Sequence, residues 1–314
     1  MCAVSARVVA GTDVKCSYSQ FFTCQGYCGI TPLMKNKSHP NAKSTKKDHK
    51  PTQADRADRH KLYQKAVQDT GFEFEFVDAT FKQLRGRVPK TLREDFCGTA
   101  AMCCEWVRQR STNQAIGIDL DADVLAWGRE HNLAKLKPAE QRRVTLVEGN
   151  VLSTDVAKAD LLLAMNFSYQ CFKDRNTLRH YFECAHAGLV DDGVLFMDVF
   201  GGYEAQREMT ERTEHKKFTY IWDQHRYDPV KGEILCHIHF AFPDGSKMKR
   251  AFTYDWRLWS LPELQELLTE AGFKRVTVYW QGTDEETGEA DGVFEPATQG
   301  DADPAWICFI SAEK

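Results

Sequence analysis

No apolar run in this chain is long enough to cross a bilayer. The longest, Leu161-Leu162-Leu163-Ala164-Met165, falls far short of the roughly 18 residues a span needs. There is no excess of positive charge either: the formal net charge is -4, which removes the general basic field that a nucleic-acid partner favours. No C-x-x-C pair occurs among the eleven cysteines, the nearest spacing being the N-terminal Cys24-x-x-x-Cys28; a small metal module there is the lesser reading, and no metal is expected. With no secretory signal, Cys97, Cys103, Cys104, Cys171, Cys184, Cys236 and Cys308 read as buried thiols in a reducing compartment, and a cytoplasmic protein is expected. Also missing is G-x-G-x-x-G, the glycine pattern that lets bare backbone N–H groups close on a pyrophosphate.

What stands in its place is Leu92-Arg93-Glu94-Asp95-Phe96-Cys97-Gly98-Thr99-Ala100, followed by Ile116-Gly117-Ile118-Asp119. The order reads strand, tight turn, helix, second strand, acidic tip, which is how a Rossmann-like half-domain holds a nucleoside at the carboxyl ends of parallel strands. Phe96 occupies the place of a first glycine and only Gly98 remains. Glu94 and Asp95 bring negative charge to the first strand end, a partner for a cationic group rather than a phosphate. The two oxygens of Asp119 can accept from a pair of vicinal hydroxyls. Asp119 and Asp121 are also possible N-caps for the segment starting at Ala122.

The remaining pattern alternates strand and helix. Strands are expected at about 91–95, 114–119, 143–148, 159–165 and 193–199, with helices at 99–109, 122–135 and 174–189. Phe72 to Leu84 can be read as a strand from the Phe72, Phe74, Phe76 alternation or as a helix; Phe81 and Leu84 continue a helical stripe up to Gly86, which favours helix. Residues 203–257 are expected to form an antiparallel β-hairpin insertion, because Phe218–Trp222, Ile234–Phe242 and Lys247–Trp256 are strand-like and are separated by Asp228-Pro229-Val230-Lys231-Gly232 and Pro243-Asp244-Gly245 turns. The chain closes with strands at Phe273–Trp280 and Ala305–Ser311, joined by a polar loop from Thr283 to Asp303. Residues 1–57 lack hydrophobic periodicity, hold a lysine-rich run from Lys35 to Lys50, and read as a disordered extension before a single domain at 58–314.

From about residue 60 to 314 the sequence resembles a class I S-adenosylmethionine-dependent methyltransferase, with Glu94-Asp95-Phe96-Cys97-Gly98-Thr99 as a variant of the family's acidic-x-Gly-x-Gly turn. The resemblance implies a doubly wound, mostly parallel seven-stranded sheet whose last strand is antiparallel, and S-adenosylmethionine as cofactor. It places Glu94, Cys97, Gly98 and Thr99 at the methionine end and Asp119 with Leu120 at the ribose. Asn150 and Val151 fall at the adenine edge, and Asn166, Phe167 and Ser168 beside the methyl group. Tyr63, on a leading helix, is in position to cover the cofactor.

The insertion would then form a lid, with Tyr203, Tyr220, Trp222, Arg226, His237, His239, Tyr254 and Trp256 available for an acceptor pocket. Tyr169 and His237 are the candidate catalytic groups; a strand histidine can act as a base near neutral pH. The expected partner is a small-molecule acceptor methylated at nitrogen or oxygen. An RNA or protein methyltransferase docking through the lysine run, and a catalytically silent module on the same fold, are the alternatives.

Overall fold

The computed structural model describes residues 50–283 and 290–314. The cysteine- and lysine-containing stretch 1–49 lies outside the described residues, and its expected disorder with it. The last part of the expected extension is ordered. Helix α1 (Gln53–Arg56), capped by Thr52, donates from Gln53 N to Asp244 Oδ2 at 2.7 Å and from Ala54 N to Ser246 Oγ at 3.1 Å. It is thereby tied to a turn of the insertion.

Helix α2 (Arg59–Ala66) starts at the N-cap Asp58, whose second oxygen accepts from Trp127 Nε1 at 2.8 Å. In α3 (Thr70–Arg85) the helical reading of the phenylalanine-rich stretch holds: Phe74, Val77 and Phe81 are buried on one face, Asp69 caps the start and left-handed Gly86 ends the helix. The Rossmann-like portion then runs β1 (Thr91–Asp95), α4 (Ala101–Gln109), β2 (Gln114–Asp119), α5 (Ala122–His131), α6 (Pro138–Gln141), β3 (Val144–Glu148), β4 (Ala159–Ala164), α7 (Arg175–Ala187) and β5 (Leu189–Gly201). The insertion follows as β6 (Met209–His215), β7 (Phe218–Asp228), β8 (Glu233–Ala241) and β9 (Lys247–Arg257). Then come α8 (Leu261–Glu270), β10 (Arg275–Thr283), β11 (Ala290–Ala297) and β12 (Trp306–Glu313).

Among the described residues the strands form two sheets, one of eight strands in the order β11-β10-β12-β5-β4-β1-β2-β3 and one of four in the order β6-β7-β8-β9. Strands β3, β2, β1, β4 and β5 are parallel, while β12 runs antiparallel between β5 and β10. Two expectations change. The large sheet has eight strands rather than seven, because part of the segment read as a polar loop, Ala290–Ala297, pairs antiparallel with β10 as an edge strand. Its alternation of exposed and half-buried positions suits a one-sided edge, and turn-forming residues around it hid the pattern. The antiparallel insertion gains a fourth strand, since Met209–His215 pairs with β7.

Residues of β4 are fully enclosed, Leu161, Leu162, Leu163 and Ala164 each at 0% exposure, because helices cover both faces of a parallel sheet. All seven described cysteines are free thiols. Among the described residues no helix is long and apolar enough to cross a membrane.

Candidate functional site

The carboxyl ends of β1, β2, β4 and β5 meet at one edge, and neighbouring acids on β1 have different fates there. Successive side chains of a strand point to opposite faces. Asp95 shares a face with Arg93, which donates from Nε to Oδ1 at 2.7 Å, and Tyr181 adds its hydroxyl at 3.1 Å. The carboxylate expected to help grip a cation is therefore spent inside the protein. Glu94, on the other face, accepts from Cys103 N at 3.1 Å at the head of α4, and burial pushes its carboxyl up to about 7.

The turn after β1 is clamped from several sides. Phe96, Gly98 and Ala100 all have left-handed backbones, at φ of 57°, 51° and 56°; for Phe96 and Ala100 that costs on the order of 1–3 kcal/mol each and persists only where the surroundings impose it. Cys97 N donates to Ile118 O at 3.0 Å and Gly98 N to Asp119 Oδ2 at 2.7 Å. Thr99 accepts from Gln64 Nε2 on its hydroxyl at 2.9 Å and from Asn132 Nδ2 on its carbonyl at 2.8 Å. A Cβ on Gly128 would lie 2.6 Å from that same carbonyl, so glycine is what lets α5 approach. Cys97 and Thr99, each 1% exposed, build the floor of the turn rather than offering side chains to a ligand.

Asp119 holds the first turn to the second. Its Oδ1 accepts from Asp121 N at 2.9 Å while Oδ2 accepts from Gly98 N, and the Leu120 N–H adds a third backbone donor, which leaves the carboxylate part of its accepting capacity. Asp121, not Asp119, caps α5, through Asp123 N at 2.8 Å and Val124 N at 3.1 Å. Asp119 opens onto a crevice of about 490 Å3 with Phe96, Leu120, Asn150 and Val151 on one side and Cys171, Phe172 and Lys173 on the other. Leu120 is held 54% exposed on this wall, an apolar surface beside an acid, as a nucleoside site needs. Asn150 keeps Oδ1 on Leu152 N at 3.0 Å, so part of its amide shapes the turn.

A second strained turn follows β4. Asn166 and Phe167 are both left-handed, at φ of 57°, and Asp198 on β5 accepts from both their N–H groups at 2.9 and 2.8 Å. Burial pushes the Asp198 carboxyl up to about 7 against those hydrogen bonds. Behind the turn lies a small hollow of about 60 Å3 where Glu73, Asn166, Phe167 and Asp198 converge. Glu73 was not anticipated. Half-buried on the first turn of α3, it is driven well above the usual carboxylate range by burial and by the charges of Glu94 and Asp198. Its place one turn past the cap Asp69, on a helix whose start meets the carboxyl edge, is the sequence signal for it, masked by the phenylalanine alternation around it.

The other expected residues divide. Ser168 is buried with Oγ donating to Met165 O at 2.9 Å. Tyr169 is 0% exposed and donates to the Asp198 carbonyl at 3.1 Å; it braces the turn from the core side, and its role as a reacting group is corrected to that. Tyr63, 1% exposed, packs 5.0 Å from Phe252, tying α2 to the small sheet.

The inner face of the small sheet carries Tyr220, Trp222, Tyr254 and Trp256, clustered with Phe167, Cys171 and Phe200 of the edge. His237 is on the opposite face, because its strand neighbours Cys236 and Ile238 point inward. Its Nδ1 lies 3.0 Å from Thr253 Oγ1 and its ring beside His225 and His239. It does not meet the crevice, and the catalytic candidacy of His237 is withdrawn on that ground. Tyr203 is 60% exposed and adds nothing to the inner face. Among the described residues no group of three or more His, Cys, Asp and Glu side chains is placed to hold a metal ion.

No family profile matches the sequence, and no curated protein matches it. Solved structures do match in shape. An S-adenosylmethionine-dependent methyltransferase from Clostridium acetobutylicum is similar over 81% of this chain and 96% of its own, at 14% identity and a TM-score of 0.59. A SAM-bound amino pentose methyltransferase from Micromonospora echinaspora, involved in calicheamicin biosynthesis, covers 81% and 96% at 15% identity and 0.58. A sugar N-methyltransferase from a Streptoalloteichus species covers 89% and 99% at 16% identity and 0.55. The chain has the fold of the class I S-adenosylmethionine-dependent methyltransferases.

Proposed function

We propose that this chain is an S-adenosylmethionine-dependent methyltransferase acting on a small molecule, with nitrogen as the favoured acceptor atom. The observation that carries the reading is the charge at the two ends of the edge. Asp119 offers lone pairs in an apolar-walled crevice, while Glu94, Asp198 and Glu73 gather near the strained turns with no cation bonded to them among the described residues. Carboxyls so enclosed ionise only at a cost, which their raised values record and which a positive ligand would offset. An ammonium and a sulfonium on one nucleoside fit that demand, and a dinucleotide's phosphates oppose it. The amino pentose and sugar N-methyltransferases of similar fold support an amine acceptor.

A bound sulfonium donor supplies an activated methyl group and leaves as a neutral thioether. The protein's own part is then positioning. Asp119 would hold the ribose hydroxyls, Glu94 would take the ammonium, and the turn braced by Asp198 would set the wall against which donor and acceptor align; holding reactants about 3 Å apart supplies most of the acceleration such a displacement needs. Asp198, poised near neutrality, can take the proton an amine sheds.

The test is transfer of tritium from methyl-labelled donor to a panel of small amines and alcohols, beside bulk RNA and a mixed protein substrate. Label in small amines supports the reading. Label confined to RNA or protein, or donor binding without any transfer, overturns it.

A further inference from the structure

Glu73 lines a hollow that lies past the ribose and ammonium ends of a donor on this edge. The strand order β12-β5-β4-β1-β2 serves as a ruler there, one spacing being about 4.8 Å. Asp119 ends β2 and Glu94 lies on β1, so a donor with its ribose at the first and its ammonium at the second spans those two strands. A sulfonium has three substituents. Two of them run to the ribose and the ammonium, and the third, the methyl group, points away from both. The hollow lies further along the same edge: Asn166 follows β4, Asp198 is on β5, Ile307 and Phe309 are on β12, and Glu73 comes in from the first turn of α3. Its centre at β5 is two strand spacings from β1, about 10 Å.

The two carboxyls of the hollow are not equivalent. Asp198 accepts from Asn166 N at 2.9 Å on one oxygen and from Phe167 N at 2.8 Å on the other, so it holds the left-handed turn, and a proton placed on it weakens that hold. Glu73 has no such duty, since no N–H or O–H group of the described residues donates to its carboxyl. Three acids face it: Asp69 on its own helix, Glu94 from β1 and Asp198 from β5. No cation of the described residues is among its charged neighbours, and burial with those charges puts it well above the usual carboxylate range. Such a group suits an amine. An ordinary glutamate, near 4.3, is about six units too acidic to hold a proton taken from an alkylammonium near 10.4, and every unit of raising closes part of that gap.

We infer that Glu73 is a catalytic residue on the acceptor side of the methyl group, the carboxylate that hydrogen-bonds the attacking nitrogen and receives its proton. The inference rests on the methyltransferase reading above and adds to it the group that activates the acceptor. The nitrogen arrives as an ammonium drawn by the acids and passes one proton to a Glu73 oxygen, which frees its lone pair. That pair forms the N–C bond while the C–S bond breaks with its electrons staying on sulfur, leaving a neutral thioether and a methylated ammonium. The proton on Glu73 goes to solvent as product leaves. Phe72, Met165, Ile307 and Phe309 rim the hollow and bring no competing charge. A sulfonium nearby also favours the ionised form of Glu73. The base is thereby ready when a methyl group is in place.

The experiment compares the full chain with Glu73→Gln, first by calorimetry near neutral pH in two buffers of different ionisation heat, which counts the protons released on binding. Wild type should release more protons with S-adenosylmethionine than with S-adenosylhomocysteine, because only the former brings the sulfonium charge. Glu73→Gln should lose at least about half of that difference and bind S-adenosylhomocysteine within about threefold of wild type. Single-turnover transfer to the panel amine that takes the most label comes next. Glu73→Gln should slow it by about a hundredfold or more, Glu73→Asp should recover part of the loss, and raising the pH toward the ammonium's own value should relieve it. A fall in S-adenosylhomocysteine affinity beyond about tenfold would make Glu73 a ligand of the donor and overturn the inference. It is equally overturned by an unchanged proton difference, by transfer within about threefold of wild type, or by a loss that higher pH does not relieve. Wild type that binds neither donor nor product, or that labels no amine, would remove the methyltransferase reading itself, and the inference with it, before any variant is made.

Discussion

The rim of the large sheet and the inner face of the small one solve opposite problems. At the rim, carboxyls are gathered where burial raises Glu94 and Asp198 to about 7, and four non-glycine residues, Phe96, Ala100, Asn166 and Phe167, are held left-handed. On the small sheet's inner face the residues are neutral and aromatic and almost fully enclosed. One region is prepared for a charge and the other for a shape. A catalyst that brings a cationic donor to an uncharged acceptor needs both, side by side.

The largest effect expected is structural. Asp95→Ala leaves Arg93 buried at 3% exposure without its partner, and should destabilise by about 3–5 kcal/mol in chemical denaturation while donor affinity in the folded protein stays put. A loss of donor affinity as large as the loss of stability would restore Asp95 to the rim. Next in size is Asp119→Ala, which should weaken S-adenosylmethionine binding by about 2–4 kcal/mol, roughly 30- to 1,000-fold. Unchanged affinity by calorimetry would move the donor out of the crevice.

A smaller effect separates the two regions by pH. Glu94 and Asp198 have folded-state values raised from 4.5 and 3.8 to about 7, so the ligand-free fold binds more protons than the unfolded chain across that interval. Their contribution is fully present below the ordinary carboxylate values and is lost as pH rises through about 7. The melting temperature without ligand should therefore fall between acid and neutral pH, Glu94→Gln should flatten the slope, and saturating S-adenosylmethionine should reduce or reverse it. A melting temperature that climbs over this range would contradict the raised values. The smallest effect belongs to His237→Ala: the side chain is on the far face of the small sheet, and kcat/KM for methyl transfer should change by no more than about twofold. A loss of a hundredfold or more would put an imidazole back into the chemistry.

The parts of the fold carried by short-range periodicity were legible in the sequence. The buried run Leu161 to Ala164, the stripe through Phe74, Val77 and Phe81, and the acid at Asp119 follow from spacing alone. What was not legible depended on partners distant along the chain. Whether Glu94 or Asp95 is committed to an internal ion pair is decided by Arg93 on the same strand and Tyr181 on α7. The face that His237 takes is not fixed by the sequence, because alternation gives two faces without saying which is covered. The edge strand Ala290–Ala297 is held by β10 rather than by its own propensity. Glu73 looks ordinary in sequence and becomes informative only once the fold brings it beside Asn166, Phe167 and Asp198.

The central claim is that the rim takes an adenosyl amino acid through its ribose and ammonium and has nothing for a pyrophosphate. Parallel calorimetric titrations of the full chain near neutral pH with S-adenosylhomocysteine and with NAD test it directly. A saturable site for S-adenosylhomocysteine, weakened in Asp119→Ala, with no heat from NAD, is the predicted result; saturable NAD binding with none for S-adenosylhomocysteine would contradict it.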